Sequence, residues 1–382
     1  MPRDEEFAGD VPVFGSNGQY ATTSVRNTHV PAIVLGRKGS YGKVNWAPDG
    51  CFASDTTFFV DERLTLENLR WLYWTLQTLD LDQGSQEAAV PGLNRGSVYE
   101  ERVYLPSRAN QAAIADYLDR ETARIDALIA EKERMLALLE EKRAALISRV
   151  VTRGLDPDIP FKPSALEWLD EIPAHWDVLQ LRFVCSSLQI GPFGTQLHAD
   201  EYVHSGVPVI NPAHLKGNKI TPDYGISVDE DTVERLAVHK LEVGDVVFGR
   251  RGELGRCGIV EDAQAGWLCG TGSLRVRCDK NLVDPSYVAL VFNSTLAATR
   301  LTLESVGSTM DNLNTEVLGH FRIPLPPMEE QKKIIRAVET GQQKGNALRD
   351  NLQLSITLAK ERRAALITAA VTDQIPLEEM TG

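Results

Sequence analysis

Two long proline-free stretches, 109–152 and 328–372, carry the clearest hydrophobic pattern in this chain. Both are rich in Ala, Glu, Leu, Arg and Lys, which are strong helix formers. The spacing of their apolar residues, in threes, fours and sevens, predicts two long helices that bury one stripe each, as in a coiled coil. The first stripe consists of Ile114, Leu118, Ile125, Leu128, Met135, Leu139 and Leu146, and the second of Ile334, Val338, Leu348, Leu352, Ala359 and Leu366. At about 1.5 Å per residue, each helix would be roughly 60 Å long.

An internal repeat relates these stretches and the residues before them. When residues 93–152 are laid over 313–372 without a gap, 18 of the 60 positions are identical. The offset of 220 is too long for a solenoid and indicates a duplicated unit of one domain followed by one helix. We therefore expect a pseudo-twofold molecule whose two helices pack antiparallel within one chain. Pairing of helices between separate chains is the alternative.

The remaining segments, 1–104 and about 176–324, alternate short apolar runs with Gly, Asn, Asp and Pro turns, a pattern typical of β-rich domains. The runs at 32–35, 57–60, 207–210 and 245–248 are predicted strands. Pro106 and Pro326 are predicted to end the strand that precedes each long helix. Together these features predict an α+β fold with two globular domains and two long helices.

Each globular segment contains a glycine-rich element directly after a predicted strand, GRKGSYGK at 36–43 and GRRGELGR at 249–256. Glycines let the backbone approach a phosphate closely, and paired cations can contact phosphates or a guanine edge. The candidate DNA-binding cations are Arg37, Lys38, Lys43, Arg250, Arg251 and Arg256. A glycine-rich turn with solvated cations is the alternative for either copy alone, and the duplication favours a DNA role.

Short polar residues near these turns are further candidates for DNA contact. Asn17, Ser40, Tyr41 and Thr195 are predicted to belong to the interface. Ser16, Gln19 and Gln196 lie in the same stretches, but the sequence does not decide whether they reach bases.

Composition adds one objection and several exclusions. The formal net charge of −13 opposes DNA binding and favours the alternative of a coiled-coil scaffold or adaptor protein. Five scattered cysteines without a C-x-x-C pair predict reduced thiols and no zinc site. No 18-residue apolar run and no signal peptide are present, so we expect a cytoplasmic protein without a membrane span. Gly42-Lys43 is not part of a Walker A motif, because that motif requires Ser or Thr where this chain has Val44. The sequence shows no group of residues typical of a catalytic site.

The chain resembles the specificity subunits of type I restriction–modification systems over nearly its whole length. The most specific stretch is IPLPPMEEQ at 323–331, followed by Ile334. Residues 104–114 are a degraded copy in which Ser107 and Asn110 replace the counterparts of Pro327 and Glu330. IPAHWDV at 172–178 resembles the segment that leads into a recognition domain of this family.

The resemblance implies two α/β target recognition domains that each read half of a bipartite double-stranded DNA site, with the helices as a spacer. It implies two methyltransferase subunits as partners, which bind S-adenosylmethionine, and endonuclease/translocase subunits. This chain would then have no cofactor and no catalytic role. The predicted boundaries are 1–108 and 176–327 for the recognition domains, 109–153 and 328–373 for the helices, 154–175 for a linker and 374–382 for a tail. The first domain is expected to lack its leading segment, because its glycine-rich loop comes after only 36 residues.

Overall fold

The computed structural model describes residues 9–82, 92–217, 219–252, 254–305 and 313–381. The chain forms two compact units, the first from residues 1–135 and 351–382 and the second from residues 136–350. The predicted α+β fold is confirmed. The predicted domain boundaries stay predictions.

The first unit begins with six strands and two short helices. The strands are β1 (Val11–Gly15), β2 (Gly18–Thr23), β3 (Ala32–Gly36), β4 (Val44–Ala47), β5 (Phe52–Ala53) and β6 (Thr57–Asp61). The helices are α1 (Leu69–Leu76) and α2 (Arg95–Glu100), and they are followed by the long helix α3 (Arg108–Arg153), whose first 28 residues belong to this unit.

The second unit contains the hairpin β7 (Phe161–Leu166) and β8 (Leu169–Pro173) inside the predicted linker, with Leu166 and Ile172 buried. The further strands are β9 (Asp177–Gln180), β10 (Cys185–Ile190), β11 (Val207–Ile210), β12 (Leu215–Lys216), β13 (Lys219–Ile220), β14 (Ser227–Val228), β15 (Val246–Gly249), β16 (Cys257–Ile259), β17 (Leu268–Cys269), β18 (Ser273–Cys278) and β19 (Arg322–Leu325). Its helices are α4 (Glu230–Arg235), α5 (Pro285–Phe292), α6 (Thr295–Ser305) and α7 (Thr315–His320). The long helix α8 (Met328–Val371) follows, and α9 (Leu377–Thr381) lies in the first unit.

The two units share one three-layer arrangement. In the first, the sheet β4-β3-β6 has Ile33 and Leu35 facing α1, while Ala32 and Val34 face the neighbouring sheet β2-β1-β5. In the second, the sheet β10-β18-β15-β16 takes the same place between α5 and the sheet β14-β11-β17. Strands β3 and β15 read as unbroken apolar runs because both of their faces are buried.

The duplication extends to single hydrogen bonds. The Gln111 side chain accepts from the Asn68 N–H at 2.8 Å and donates to the Pro106 carbonyl at 3.0 Å. Gln331 does the same with Asp284 at 2.8 Å and Pro326 at 2.9 Å. Each glutamine is fully buried and joins the N-terminal cap of a domain helix to the start of a long helix. The matched glutamines of the sequence repeat are therefore structural residues.

Within each unit, α3 and α8 pack antiparallel, as predicted. In the first unit, Asp126 pairs with Arg363 at 2.8 Å and Glu133 with Lys360 at 3.5 Å. The later residue of α3 thus contacts the earlier residue of α8, which shows that the two helices run in opposite directions. The predicted stripe is wrong at three positions: Leu128, Met135 and Leu348 are largely exposed. Ile129 and Ile356 are buried instead, since a 3.6-residue turn drifts relative to a fixed heptad.

The segment before each long helix differs between the units. In the second unit, β19 pairs with β9, and Ile323 is completely buried, as is the neighbouring Trp176. The equivalent residues 102–105 of the first unit form no strand, so the prediction that Pro106 ends a strand is wrong. Val103, Tyr104 and Leu105 are 41%, 47% and 60% exposed, since none of the strands that the structure describes in the first unit pairs with them.

Candidate nucleic-acid interface

The two glycine-rich elements form the tips of equivalent hairpins. Residues 36–43 connect β3 to β4, and residues 249–256 connect β15 to β16. The Gly36 N–H donates to the Lys43 carbonyl at 2.9 Å, and the Gly249 N–H donates to the Arg256 carbonyl at the same distance. We call these tips loop 1 (36–43) and loop 2 (249–256).

The inner glycines of both loops adopt left-handed backbone conformations. Gly39 and Gly42 have φ of 76° and 79°, and Gly252 and Gly255 have φ of 78° and 85°. Side chains other than glycine rarely adopt this conformation. A Cβ on Gly42 would also lie 2.4 Å from the Asp82 backbone nitrogen. Only glycine therefore lets loop 1 pack this closely on the backbone of residues 81–82.

Both loops are anchored in the same way to the start of the sequence repeat. The Leu93 N–H donates to the Arg37 carbonyl at 2.8 Å, and the Leu313 N–H donates to the Arg250 carbonyl at 2.9 Å. The Arg37 N–H donates to the Thr56 carbonyl, and the Arg250 N–H donates to that of Gly272. The loops are thus held in fixed positions at one end of each central sheet.

Loop 1 brings together most of the predicted residues of the first domain. Arg37, Lys38 and Ser40 are exposed, and Tyr41 is half-buried with further interactions of its own. The exposed Lys43 ammonium donates to the carbonyl and to the side-chain oxygen of Asn17, at 2.8 and 3.3 Å. Lys43 therefore fixes the β1–β2 turn beside the loop.

In loop 2, the three arginines have different surroundings. Arg251 is exposed, and Arg256 is half-buried. Arg250 donates to the Leu313 carbonyl at 2.8 Å and to that of Thr271 at 3.3 Å. Burial, and then the charge of Arg251, lower the pKa of the Arg250 guanidinium. Arg250 thus braces the loop, and Arg251 is left exposed to solvent.

Thr195 lies beside loop 2 and not within it. It belongs to an exposed turn after β10, where the Gly191 N–H donates to the Ser273 carbonyl at 3.0 Å. Strand β18 begins at Ser273 and pairs with both β10 and β15, so the turns at 191–196 and 270–272 and loop 2 lie at the same end of one sheet. The sequence could not show this, because pairing of β10 with β18 joins residues more than 80 positions apart.

One further cation was missed by sequence reasoning. The Arg95 guanidinium lies 4.9 Å from the centre of the Phe58 ring, and that of Arg37 lies 5.3 Å from the same ring. Arg95 is exposed and increases the positive charge next to loop 1. Its position in the repeat is occupied by Thr315 in the second copy, so duplication gave no signal for it.

Other kinds of site are not seen in the described part of the chain. No group of three or more His, Cys, Asp or Glu side chains there could hold a metal ion. No helix within the described ranges is long and apolar enough to cross a membrane. The described part of the chain has two equivalent cationic loops, each anchored by backbone hydrogen bonds, and this arrangement suits contact with a polyanion.

The fold and these loops define a protein built from two equivalent units, and comparisons with known proteins find similar chains. Residues 175–357 match the family model of the Type I restriction modification DNA specificity domain. The chain is 23% identical over 314 residues to the Type I restriction enzyme EcoBI specificity subunit of Escherichia coli. It is 21% identical over 314 residues to the MjaVIII specificity subunit of Methanocaldococcus jannaschii. These matches cover 80% and 81% of this chain, and 66% and 68% of the relatives, about two thirds of their length.

Solved structures show the same fold. One chain comes from a structural study of complex assembly and conformational transition of the type I R-M system. It aligns with a TM-score of 0.69 at 15% identity, covering 96% of this chain and 92% of that one. The HsdS subunit from Thermoanaerobacter tengcongensis aligns with a TM-score of 0.50 at 16% identity, covering 90% and 81%. The resemblance inferred from the sequence is confirmed: residues 175–357 match the type I DNA specificity domain, and the chain is similar over about four fifths of its length to type I specificity subunits.

Proposed function

We propose that this chain is the DNA-reading, non-catalytic subunit of a type I restriction–modification complex in the cytoplasm. Each unit reads one half of a bipartite double-stranded DNA site, the first through the sheet end that carries loop 1 and the second through the sheet end that carries loop 2. Two methyltransferase subunits supply S-adenosylmethionine chemistry, endonuclease/translocase subunits supply cleavage, and this chain carries no cofactor. The observation that supports the proposal best is the equivalence of loops 1 and 2, down to individual backbone hydrogen bonds.

The predicted contact residues take different roles in this proposal. Lys38 and Arg251 occupy equivalent exposed positions in the two loops and contact phosphate or base edges. Arg250 and Lys43 hold the loops and their neighbours in place, as their hydrogen bonds to Leu313 and Asn17 indicate. Arg37 and Arg95 flank Phe58 and add cationic surface in the first unit.

The test measures binding of the chain, assembled with its methyltransferase subunits, to a randomised duplex library and then to the selected site. We expect selection of a bipartite sequence and a linear fall of log K with log salt concentration. Arg251→Ala should weaken binding and reduce the salt slope by about 1, the effect of one lost phosphate contact.

The matched control is Lys280→Ala, which removes one exposed cation from the same unit. Lys280 follows β18 at the end of the sheet away from loop 2, so both affinity and slope should stay unchanged. Selection of no sequence at all would contradict the proposal and favour the scaffold alternative. Equal effects of the two substitutions would show that loop 2 does not contact DNA.

A further inference from the structure

Two thiols of the second unit face each other across neighbouring strands. Cys185 and Cys278 are register partners at the end of the antiparallel pair β10–β18, and a β-bulge between Cys185 and Ser187 separates them from the rest of the ladder. At the adjoining position, the Asp279 N–H donates to the Val184 carbonyl at 2.9 Å. Hydrogen-bonded and non-hydrogen-bonded pairs alternate along an antiparallel ladder, so Cys185 and Cys278 form a non-hydrogen-bonded pair, the kind whose side chains lie closest.

The geometry of such a pair suits a covalent bond between the sulfurs. Its Cα atoms are separated by about 4.5 Å, and disulfides span Cα separations of about 4.4–6.8 Å. The two thiols are close enough for Cys278 to raise the pKa of the Cys185 thiol. Cys257 in the same unit contacts Asn293 instead, at 3.0 Å from its amide nitrogen.

We propose that Cys185 and Cys278 form a redox pair that closes to a disulfide when the folded chain meets a small-molecule disulfide such as oxidised glutathione. The Cys185 thiolate attacks one sulfur of the oxidant and displaces one glutathione thiolate. The Cys278 thiolate then attacks the Cys185 sulfur of the mixed disulfide and displaces the second. The cysteines lose two electrons and two protons in total, and two molecules of reduced glutathione are formed.

Accessibility and acidity set the order and rate of these steps. Cys185 is half-buried, whereas Cys278 is only 6% exposed, so the oxidant meets Cys185 first. The hydrogen bond with Cys278, followed by burial, raises the pKa of the Cys185 thiol. Since the thiolate is the reactive form, closure is slow at neutral pH and accelerates as the pH rises.

The bond would close a loop that contains most of the second unit's sheets, from β11 to β17, together with loop 2. Constraining a loop of this length lowers the entropy of the unfolded chain and stabilises the fold. The pair lies at the first residue of β10 and the last residue of β18, whereas loop 2 and the 191–196 turn lie at the other end of these strands. Closure should therefore raise stability and leave DNA contact unchanged, which makes this inference independent of the proposed function.

The experiment treats the full chain with oxidised glutathione at pH 8.5 and maps its peptides without reduction. We expect one linked pair of peptides containing Cys185 and Cys278, and a rise of about 5–10 °C in the melting temperature. Both changes should reverse with dithiothreitol. Cys185→Ala and Cys278→Ala should each abolish the rise, whereas Cys269→Ala, which removes a buried thiol of the same unit, should keep it.

A Cys185–glutathione adduct that never resolves would overturn the proposal. So would a Cys185–Cys278 link that forms only in urea, because it would show that the folded strands hold the sulfurs apart. If one alanine variant fails to fold, the other alanine variant and the peptide map of the unmodified sequence still decide the outcome.

Discussion

At the scale of single residues, equivalent cations in a loop can have unlike tasks. Arg250 and Arg251 are adjacent and carry the same charge, but Arg250 satisfies two backbone carbonyls while Arg251 is exposed to solvent. In the sequence the two arginines look like one basic patch, but one supports the loop and the other is an exposed cation.

This difference predicts that two single substitutions change the free energy of unfolding by different amounts. Arg250→Ala should lower the free energy of unfolding by about 1–2 kcal/mol, because it leaves the Leu313 and Thr271 carbonyls without their charged donor. Arg251→Ala should change it by less than about 0.5 kcal/mol, as is usual for surface positions. Urea denaturation of both variants measures the difference, and equal losses would refute the assignment of Arg250 as a brace.

A second residue-scale prediction concerns His239, which is only 1% exposed in the second unit. Burial, followed by the charge of Arg275, lowers the pKa of its imidazole. The unfolded chain therefore binds more protons than the folded chain once the pH falls below about 6.5, the ordinary value for histidine. Stability should be lost as the pH drops below that point, with a slope of at most about 1.4 kcal/mol per pH unit from this group.

Denaturation midpoints between pH 7.5 and pH 5.0 provide the measurement. His239→Gln removes one titrating group and should reduce the slope in this window, where His214, whose imidazole pKa is also lowered by burial, continues to contribute. His198→Gln, a substitution of an exposed histidine in the same unit, is the control and should leave the slope as it is. An unchanged slope in His239→Gln would contradict the prediction.

At the scale of elements, the two copies of the repeat differ most at β19, which pairs with β9, whereas residues 102–105 pair with no strand among the described residues. Ile323 is the register partner of Leu179 in β9 and is completely buried, whereas the equivalent Val103 is 41% exposed. The strand before the second long helix thus depends on the segment that starts at Trp176, and its counterpart in the first unit does not form.

Matched truncations test this difference. Ile323→Ala should destabilise the second unit by about 2–5 kcal/mol, the usual cost of a buried large-to-small change. Val103→Ala should cost less than about 0.5 kcal/mol. Thermal unfolding of the full chain compares them, and a similar cost for both would show that residues 102–105 pack as β19 does.

The elements also show what the sequence could predict. Apolar runs at 32–35 and 246–248, the glycine spacing in both loops and the helix-forming stretches depend on local physics, and they were found. Helices α1 and α5 were not, because LRWLYWTL and PSYVALVF consist largely of residues that also favour strands, and only packing on a sheet decides. The proximity of Thr195 to loop 2 and of Arg95 to Arg37 depends on long-range contacts, for which one sequence carries no pattern.

At the scale of the whole molecule, the formal net charge is −13, although loops 1 and 2 are cationic. Acidic side chains elsewhere do not prevent phosphate contact, because charges on the surface are screened beyond about 10 Å at ordinary salt concentrations. The prediction at this scale is that loops 1 and 2 contribute independently to binding of one DNA duplex.

Lys38→Ala and Arg251→Ala, made singly and together in the assembled complex, test this independence. Each single change should reduce the salt slope by about 1, and the double change by about 2, because substitutions at sites that share no contacts are usually additive. A slope that responds to Arg251 alone would restrict DNA reading to the second unit. Lys280→Ala again serves as the control for removal of a cation.

The first unit is discontinuous along the chain, since residues 1–135 share it with 351–382. Its core joins Trp71, Ile114 and Leu118 to Ile367, Ala370 and Met380. The second unit is continuous, from 136 to 350, so during synthesis all of its residues leave the ribosome before those that complete the first core. The domain made first is therefore the one that finishes folding last, and until then its apolar helix faces remain exposed to chaperones and proteases.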